Sequence, residues 1–106
     1  MFKIFKSLFT GTNDDQLTEE LKDGAFLVDV RSPMEFSSGS AKDAINIPLN
    51  RIPSQLTTFK NKKHIIVFCA SGARSSQAKS TLERHGLKNV INGGTWQQVN
   101  KWKNGL

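Results

Sequence analysis

Two apolar runs constrain this chain more than any other feature. Ala25-Phe-Leu-Val-Asp-Val30 and His64-Ile-Ile-Val-Phe-Cys69 are too short for helices and rich in β-branched and aromatic residues. Apart from Asp29 and the leading His64 they are apolar on consecutive rather than alternate positions. Strands of that kind hide both faces, which points to a parallel sheet covered on both sides and not to a meander with one wet face. Parallel neighbours need long crossovers, usually helical, so the intervening segments should carry helices.

The segments between them fit that demand. Gly11-Thr-Asn-Asp14 supplies capping residues for a helix over Asp15–Asp23, where Leu17 and Leu21 share a face and Gly24 is the stop. Arg31 to Asp43 is polar and Ser-rich, a loop with one helical turn around Met34-Glu-Phe36. Ala44-Ile-Asn-Ile47, halted by Pro48, reads as a short edge strand, and Pro53 as the first turn of a helix running through Leu56 to Phe59. Lys60-Asn-Lys-Lys63 is a solvated basic connection. After Cys69, residues Ala70 to Arg74 form a loop, and Ser75 to His85 a helix with Ala78 and Leu82 on one face and Gly86 at its end. Asn89-Val-Ile91 is a last strand, Asn92-Gly-Gly94 a turn, and Trp96, Val99 and Trp102 mark a final helix ending at Gly105. The expected architecture is α/β, a small and mainly parallel sheet flanked by helices on both faces. Working sites in such sheets lie beyond the carboxyl ends of the strands, where Cys69 falls.

Composition narrows the chemistry. A chain of 106 residues with 37% hydrophobic content suits one compact domain. The single cysteine excludes an internal disulfide framework, and with only His64 and His85 beside it no Cys/His metal cluster is expected, nor any cofactor. Fifteen Lys and Arg against nine Asp and Glu give a charge of +6, read as solvated surface and not as a nucleic-acid footprint. The start, Met1-Phe-Lys-Ile-Phe-Lys-Ser-Leu-Phe9, is interrupted by Lys3 and Lys6 and is too short for a signal-peptide core or a membrane span. It is expected to form a basic amphipathic segment within residues 1–14, ahead of a domain over residues 15–106. Its apolar side chains either pack back onto that domain or touch a membrane surface. A reactive thiol and no evident cleavable signal together predict a cytoplasmic location.

The stretch Cys69-Ala-Ser-Gly-Ala-Arg74-Ser-Ser carries the chemistry. It places a thiol where a buried strand gives way to a loop and then a helix N-terminus. Gly72 permits a sharp bend, the amides of Ala70 to Ser75 can converge on an anion, and the helix dipole adds partial positive charge. A thiol at that focus should ionise easily, helped by the Arg74 guanidinium. The alternative is a buried structural cysteine, a common fate of a lone Cys in a small core.

Four segments in order resemble a single-domain rhodanese. They are Leu27-Val-Asp-Val-Arg-Ser-Pro-Met-Glu-Phe36, Asp43-Ala-Ile-Asn-Ile-Pro48, Phe68-Cys-Ala-Ser-Gly-Ala-Arg-Ser-Ser76 and Asn92-Gly-Gly-Thr-Trp96. The resemblance implies a rhodanese-like fold and a sulfurtransferase with Cys69 as nucleophile. The Cys69 thiolate would take a sulfane sulfur from thiosulfate or a similar small anionic donor, hold it as a persulfide, and pass it to cyanide or a thiol. Ala70, Ser71, Gly72, Ala73, Arg74 and Ser75 would bind the donor, while Asp29, Arg31 and Glu35 would support the loop through charge pairs and hydrogen bonds. Only four residues separate Cys69 from Arg74, one fewer than in tyrosine-phosphatase-type loops, which makes a small phosphatase or arsenate reductase the minor reading. A further reading is a sulfur-relay or regulatory module acting on a protein partner. The family's usual histidine ahead of Asn-Ile-Pro is here Ser40, and its Gly-Ala is Asp43-Ala44.

Overall fold

The computed structural model describes residues 14–106. The amphipathic start expected over Met1–Phe9 therefore lies outside the described residues, as do Gly11 to Asn13. In chain order the elements are α1 (Asp14–Lys22), β1 (Phe26–Asp29), α2 (Pro33–Ser37), β2 (Ile45–Asn46), a 3-10 helix (Leu49–Ser54), α3 (Leu56–Phe59), β3 (Ile65–Cys69), α4 (Ala73–Arg84), β4 (Val90–Thr95) and α5 (Trp96–Asn104).

The four strands form one sheet in the order β2-β1-β3-β4, and every pair is parallel. The two apolar runs are its central strands. Side chains alternate between faces, so each strand feeds two cores. Val28, Val30, Ile65, Val67 and Cys69 face one way, packed with Ile52, Phe59, Ala78 and Leu82 from the 3-10 helix, α3 and α4. Leu27, Ile66, Phe68 and Ile91 face the other way, against Leu17 and Leu21 of α1 and Val99 of α5. Burial on both faces is what the consecutive apolar pattern demanded, and the same alternation turns the Cys69 side chain toward α4.

Three local expectations change. Pro53 lies inside the 3-10 helix, and α3 is a separate turn that starts only at Leu56. Without an amide proton Pro53 cannot extend the preceding hydrogen bonding as an α-helix does. The helix after Cys69, α4, begins at Ala73 and not Ser75, because Gly72 takes the N-cap position with φ +97°, a left-handed conformation open to glycine. Asn92-Gly-Gly94 is not a turn at all but part of β4. Val67 pairs with Asn92 and Phe68 with Gly94, so Gly93 is skipped in a bulge. A Cβ on Gly93 would stand 2.8 Å from Val99 Cγ2 and 2.9 Å from Ile66 Cγ2, so only glycine lets the strand pass this close to α5.

Among the described residues no helix is long and apolar enough to cross a membrane.

Candidate active site

Parallel pairing brings the carboxyl ends of three strands to one edge. Asp29 lies opposite Phe68, and Cys69 lies opposite Thr95. Just beyond these ends the chain must satisfy its free backbone groups, and it does so around the sulfur. The Gly72 N–H donates to Cys69 Sγ at 3.0 Å, and Ser75 Oγ lies 3.5 Å from the same sulfur. Cys69 itself has no exposed surface, although Ala70, Ser71 and Ala73 of the loop above it are exposed. Burial pushes the thiol pKa up. The Ser75 hydroxyl and the backbone amides of Ser75, Ser71 and Gly72 pull it down further, and the net direction is below the ordinary thiol value.

The geometry thus assembles Cys69, Ser71, Gly72 and Ser75 around one atom. Arg74 is placed differently from the expectation of a guanidinium aimed at the thiol or a donor. Its Nη1 and Nη2 donate to Glu35 Oε1 and Oε2 at 2.7 Å and 3.0 Å, a two-pronged pair between α4 and α2. Glu35 is held to a pKa of about 2, first by this Arg74 hydrogen bond and then by the Ser32 amide. Arg74 is raised in turn, chiefly by Glu35, with attraction to the Cys69 charge a smaller contribution. The amides and the Ser75 hydroxyl, not the guanidinium, are what touch the sulfur.

Glu35 does two jobs. Ser32 caps α2 by accepting from the Glu35 amide, while Glu35 Oε1 accepts from the Ser32 amide, a reciprocal capping box that Pro33 extends at the first helical position. A five-residue helix thereby presents its one carboxylate to the loop after β3. Asp29 and Arg31 form a separate, buried pair. The Asp29 carboxylate accepts from the Arg31 amide, Nε and Nη2, the last at 2.6 Å, and Arg31 Nη2 also reaches the Gly39 carbonyl. The guanidinium stacks 5.2 Å from the Trp96 ring centre. Ser40, standing where the family usually has histidine, donates to Asp29 Oδ2 at 2.7 Å and completes that carboxylate's shell.

Sequence reasoning missed Asn92, which reads as a turn former before two glycines. It stands in the middle of β4, beside the bulge, and its side-chain oxygen accepts from Ser75 Oγ at 2.6 Å and from the Gly94 amide at 2.9 Å. The available signal was a polar residue in a strand that runs beside the one ending in Cys69. Among the described residues no group of three or more His, Cys, Asp or Glu side chains could hold a metal ion.

Comparison with known proteins gives this geometry a family. A family model described as a rhodanese-like domain matches residues 13–99. The chain belongs to the rhodanese-like family. It is 33% identical over 82 residues to a sulfurtransferase of Allochromatium vinosum, covering 76% of this chain and 77% of that one. It is 35% identical over 74 residues to the thiosulfate sulfurtransferase PspE of Escherichia coli, covering 68% and 71%. Among solved structures, the human single-domain sulfurtransferase TSTD1 superposes with a TM-score of 0.70 at 26% identity, over 85% of this chain and 94% of that one. The chain spans between 46% and 77% of the length of the first curated relatives it matches. The rhodanese-like α/β fold and membership of a sulfurtransferase family follow.

Proposed function

We propose that this rhodanese-like chain is a thiosulfate-type sulfurtransferase that works through a persulfide on Cys69. The observation that carries the reading is the Gly72 amide 3.0 Å from a fully buried sulfur whose pKa is nevertheless lowered. A structural core cysteine has no use for converging donors. The Cys69 thiolate attacks the sulfane sulfur of thiosulfate, the new S–S bond forms as the sulfur–sulfur bond of thiosulfate breaks, and sulfite leaves with the electron pair. The outer sulfur then carries the negative charge. Ala70 to Ser75 line the place it occupies, and their amides stabilise it. Cyanide attacks that sulfur to give thiocyanate and return the thiolate, or a thiol takes it up instead.

The burial of Cys69 suits this chemistry. A second sulfur extends the side chain by about 2 Å, toward the exposed loop residues above it. Asp29, Arg31 and Glu35 have the role of support, and Arg74 draws the anionic donor by charge while its hydrogen bonds remain on Glu35. The test is intact mass after incubation with thiosulfate. The expected result is one added sulfur, removed by reductant and absent from Cys69→Ser; no adduct on the wild type, or the same adduct on the variant, refutes the reading.

A second reading, exchange of sulfur with a protein thiol, is favoured by Met34. It is 79% exposed and adjoins Glu35, the partner of the loop arginine, so it offers an apolar contact beside the site. Slow turnover with small acceptors but fast transfer to a partner's thiol, weakened by Met34→Ser, would support it. Equal rates with both acceptor classes would not.

A further inference from the structure

The loop around the sulfur carries one full positive charge, and the fold largely cancels it. Among residues 69–75 the only cationic side chain is Arg74. Its Nη1 and Nη2 donate to Glu35 Oε1 and Oε2 at 2.7 Å and 3.0 Å, the fork-on-fork contact in which guanidinium and carboxylate match best. Glu35 is anchored from its other side as well, because Oε1 accepts from the Ser32 amide at 3.1 Å and from the Ser32 hydroxyl at 3.0 Å. With its pKa at about 2, the carboxylate is ionised wherever the thiol titrates. The other guanidinium at this edge of the sheet, Arg31, is already matched by the buried Asp29 carboxylate. These four charges therefore form two closed pairs.

An anion at the sulfur thus meets backbone dipoles and little net charge from these pairs. The Gly72 amide lies 3.0 Å from Sγ, and the amides of Ser71 and Ser75 also favour the thiolate. Dipoles act at contact and fade faster with distance than a charge does. They hold the atom that touches them and respond weakly to a second charge carried farther out. A bare guanidinium would do the reverse: Coulomb energy is proportional to the charge of the ligand, so a free Arg74 would favour a dianion over a monoanion of similar shape. The Arg74 and Glu35 side chains are 39% and 37% exposed, open enough for an incoming donor to meet the pair.

We propose that Glu35 is a specificity-determining residue: by holding its carboxylate on Arg74 it cancels most of the loop's charge and opens the site to sulfane-sulfur donors with one negative charge, organic thiosulfonates, beside dianionic thiosulfate. The inference rests on the sulfur-transfer reading and names a donor class for that same site. With a thiosulfonate, the Cys69 thiolate attacks the outer sulfur. A bond forms from Sγ to that sulfur as its bond to the sulfonyl sulfur breaks, and a sulfinate leaves with the electron pair. The persulfide anion left on Cys69 is the same one that thiosulfate gives. Only the leaving group differs, a sulfinate with one charge or sulfite with two, and it is this second charge that Glu35 keeps from the full pull of Arg74. Glu35 acts through Arg74 and makes no bond to the reacting atoms.

Glu35→Gln removes the charge and keeps the capping box, in which glutamine serves as well as glutamate. The chain has one cysteine and no tyrosine, so the ultraviolet absorbance of the thiolate titrates Cys69 without overlap from tyrosinate. A unit charge in a water-screened pair is worth about threefold for a monoanion at the site and about tenfold for a dianion. The Cys69 midpoint should therefore fall by about half a pH unit in Glu35→Gln. For the same reason kcat/KM for thiosulfate relative to benzenethiosulfonate should rise about threefold, through KM. Arg74→Gln should raise the midpoint, and adding Glu35→Gln to it should bring the midpoint down again; this second comparison decides should Glu35→Gln alone fail to fold. A carboxylate that merely props α2 against the loop predicts no such opposition, because losing the pair from either side loosens the same contact. A midpoint that stays or rises when the Glu35 charge is removed, or an unchanged donor ratio, overturns the proposal. The titration uses no sulfur donor, so its failure is separate from failure of the transfer reading, which falls if neither donor adds sulfur to Cys69.

Discussion

Gly93→Ala tests whether the bulge in β4 exists for the reason given. The added Cβ would meet Val99 Cγ2 at 2.8 Å and Ile66 Cγ2 at 2.9 Å, well inside the roughly 3.5–4.0 Å at which carbon atoms pack comfortably. Both neighbours are fully buried, one on α5 and one on the central strand, so neither can yield toward solvent. Overpacking of that kind costs about 1–3 kcal/mol. Against it stands the loss of unfolded-chain freedom when glycine becomes alanine, a gain of about 0.4–1 kcal/mol that applies wherever the backbone is not left-handed. Gly93 qualifies, whereas Gly72 and Gly94, at φ +97° and +83°, do not. The net expectation is a loss of about 1–2 kcal/mol, which for a domain of this size lowers Tm by about 5–15 °C. Thermal melts followed by circular dichroism measure it, with urea titration as the isothermal check. A Val99→Ala background removes one of the two clashing methyls, so there the same substitution should cost about 1 kcal/mol less. If Gly93→Ala proves as stable as the wild type, or its cost is identical in both backgrounds, the steric account of the bulge is wrong.

Other substitutions probe the supports of the site. Arg74→Ala should leave the fold intact, raise the Cys69 midpoint and increase KM for thiosulfate more than it lowers kcat; unchanged kinetics would mean that the amides alone hold the donor. Glu35→Gln bears on acid stability. Because the Glu35 pKa is depressed to about 2 from 4.5, its contribution is fully present above 4.5 and disappears as pH falls through 2. The wild type and Glu35→Gln should therefore differ by a constant amount above pH 4.5 and converge toward pH 2 in melts across that range; a difference that grows on acidification contradicts the pairing. Asp43 holds φ +67°, where glycine is at ease and other residues are strained, so Asp43→Gly should stabilise by up to about 1 kcal/mol. Its long contact to Lys103, at 3.8 Å, offsets little of that gain, and a lowered urea midpoint would refute the strain.

The central strands were legible because burial on both faces writes itself into consecutive residues: Ile65 to Cys69 are all buried, and so are Leu27 to Val30. Cys69, Gly72 and the helix after them were legible for a local reason too, since strand end, bend and helix start are neighbours in sequence. Asn92-Gly-Gly94 was misread because the same three residues that favour a turn in isolation also make a close-passing strand, and only the positions of Ile66 and Val99 distinguish the two. Nor could the sequence show that Glu35 would occupy the Arg74 guanidinium, because the two stand 39 positions apart and meet only when α2 and α4 are placed by the sheet. Ser40 on Asp29 and Asn92 on Ser75 belong to the same class, polar pairings created by tertiary contact.

The capping box of α2 has a consequence for anyone who would move this site to another protein. Glu35, whose carboxylate closes that capping box, also holds the arginine of the loop around the sulfur, and a third segment, β4, closes the cluster from behind. A loop spanning Cys69 to Ser75 grafted onto a foreign strand would carry the sulfur's donors but arrive without either neighbour, leaving Arg74 and the Ser75 hydroxyl without the partners that hold them in place. The smallest transplantable unit is three separate stretches of chain carried together, and chimaeras between relatives should be cut between those stretches only when both parents supply matching partners.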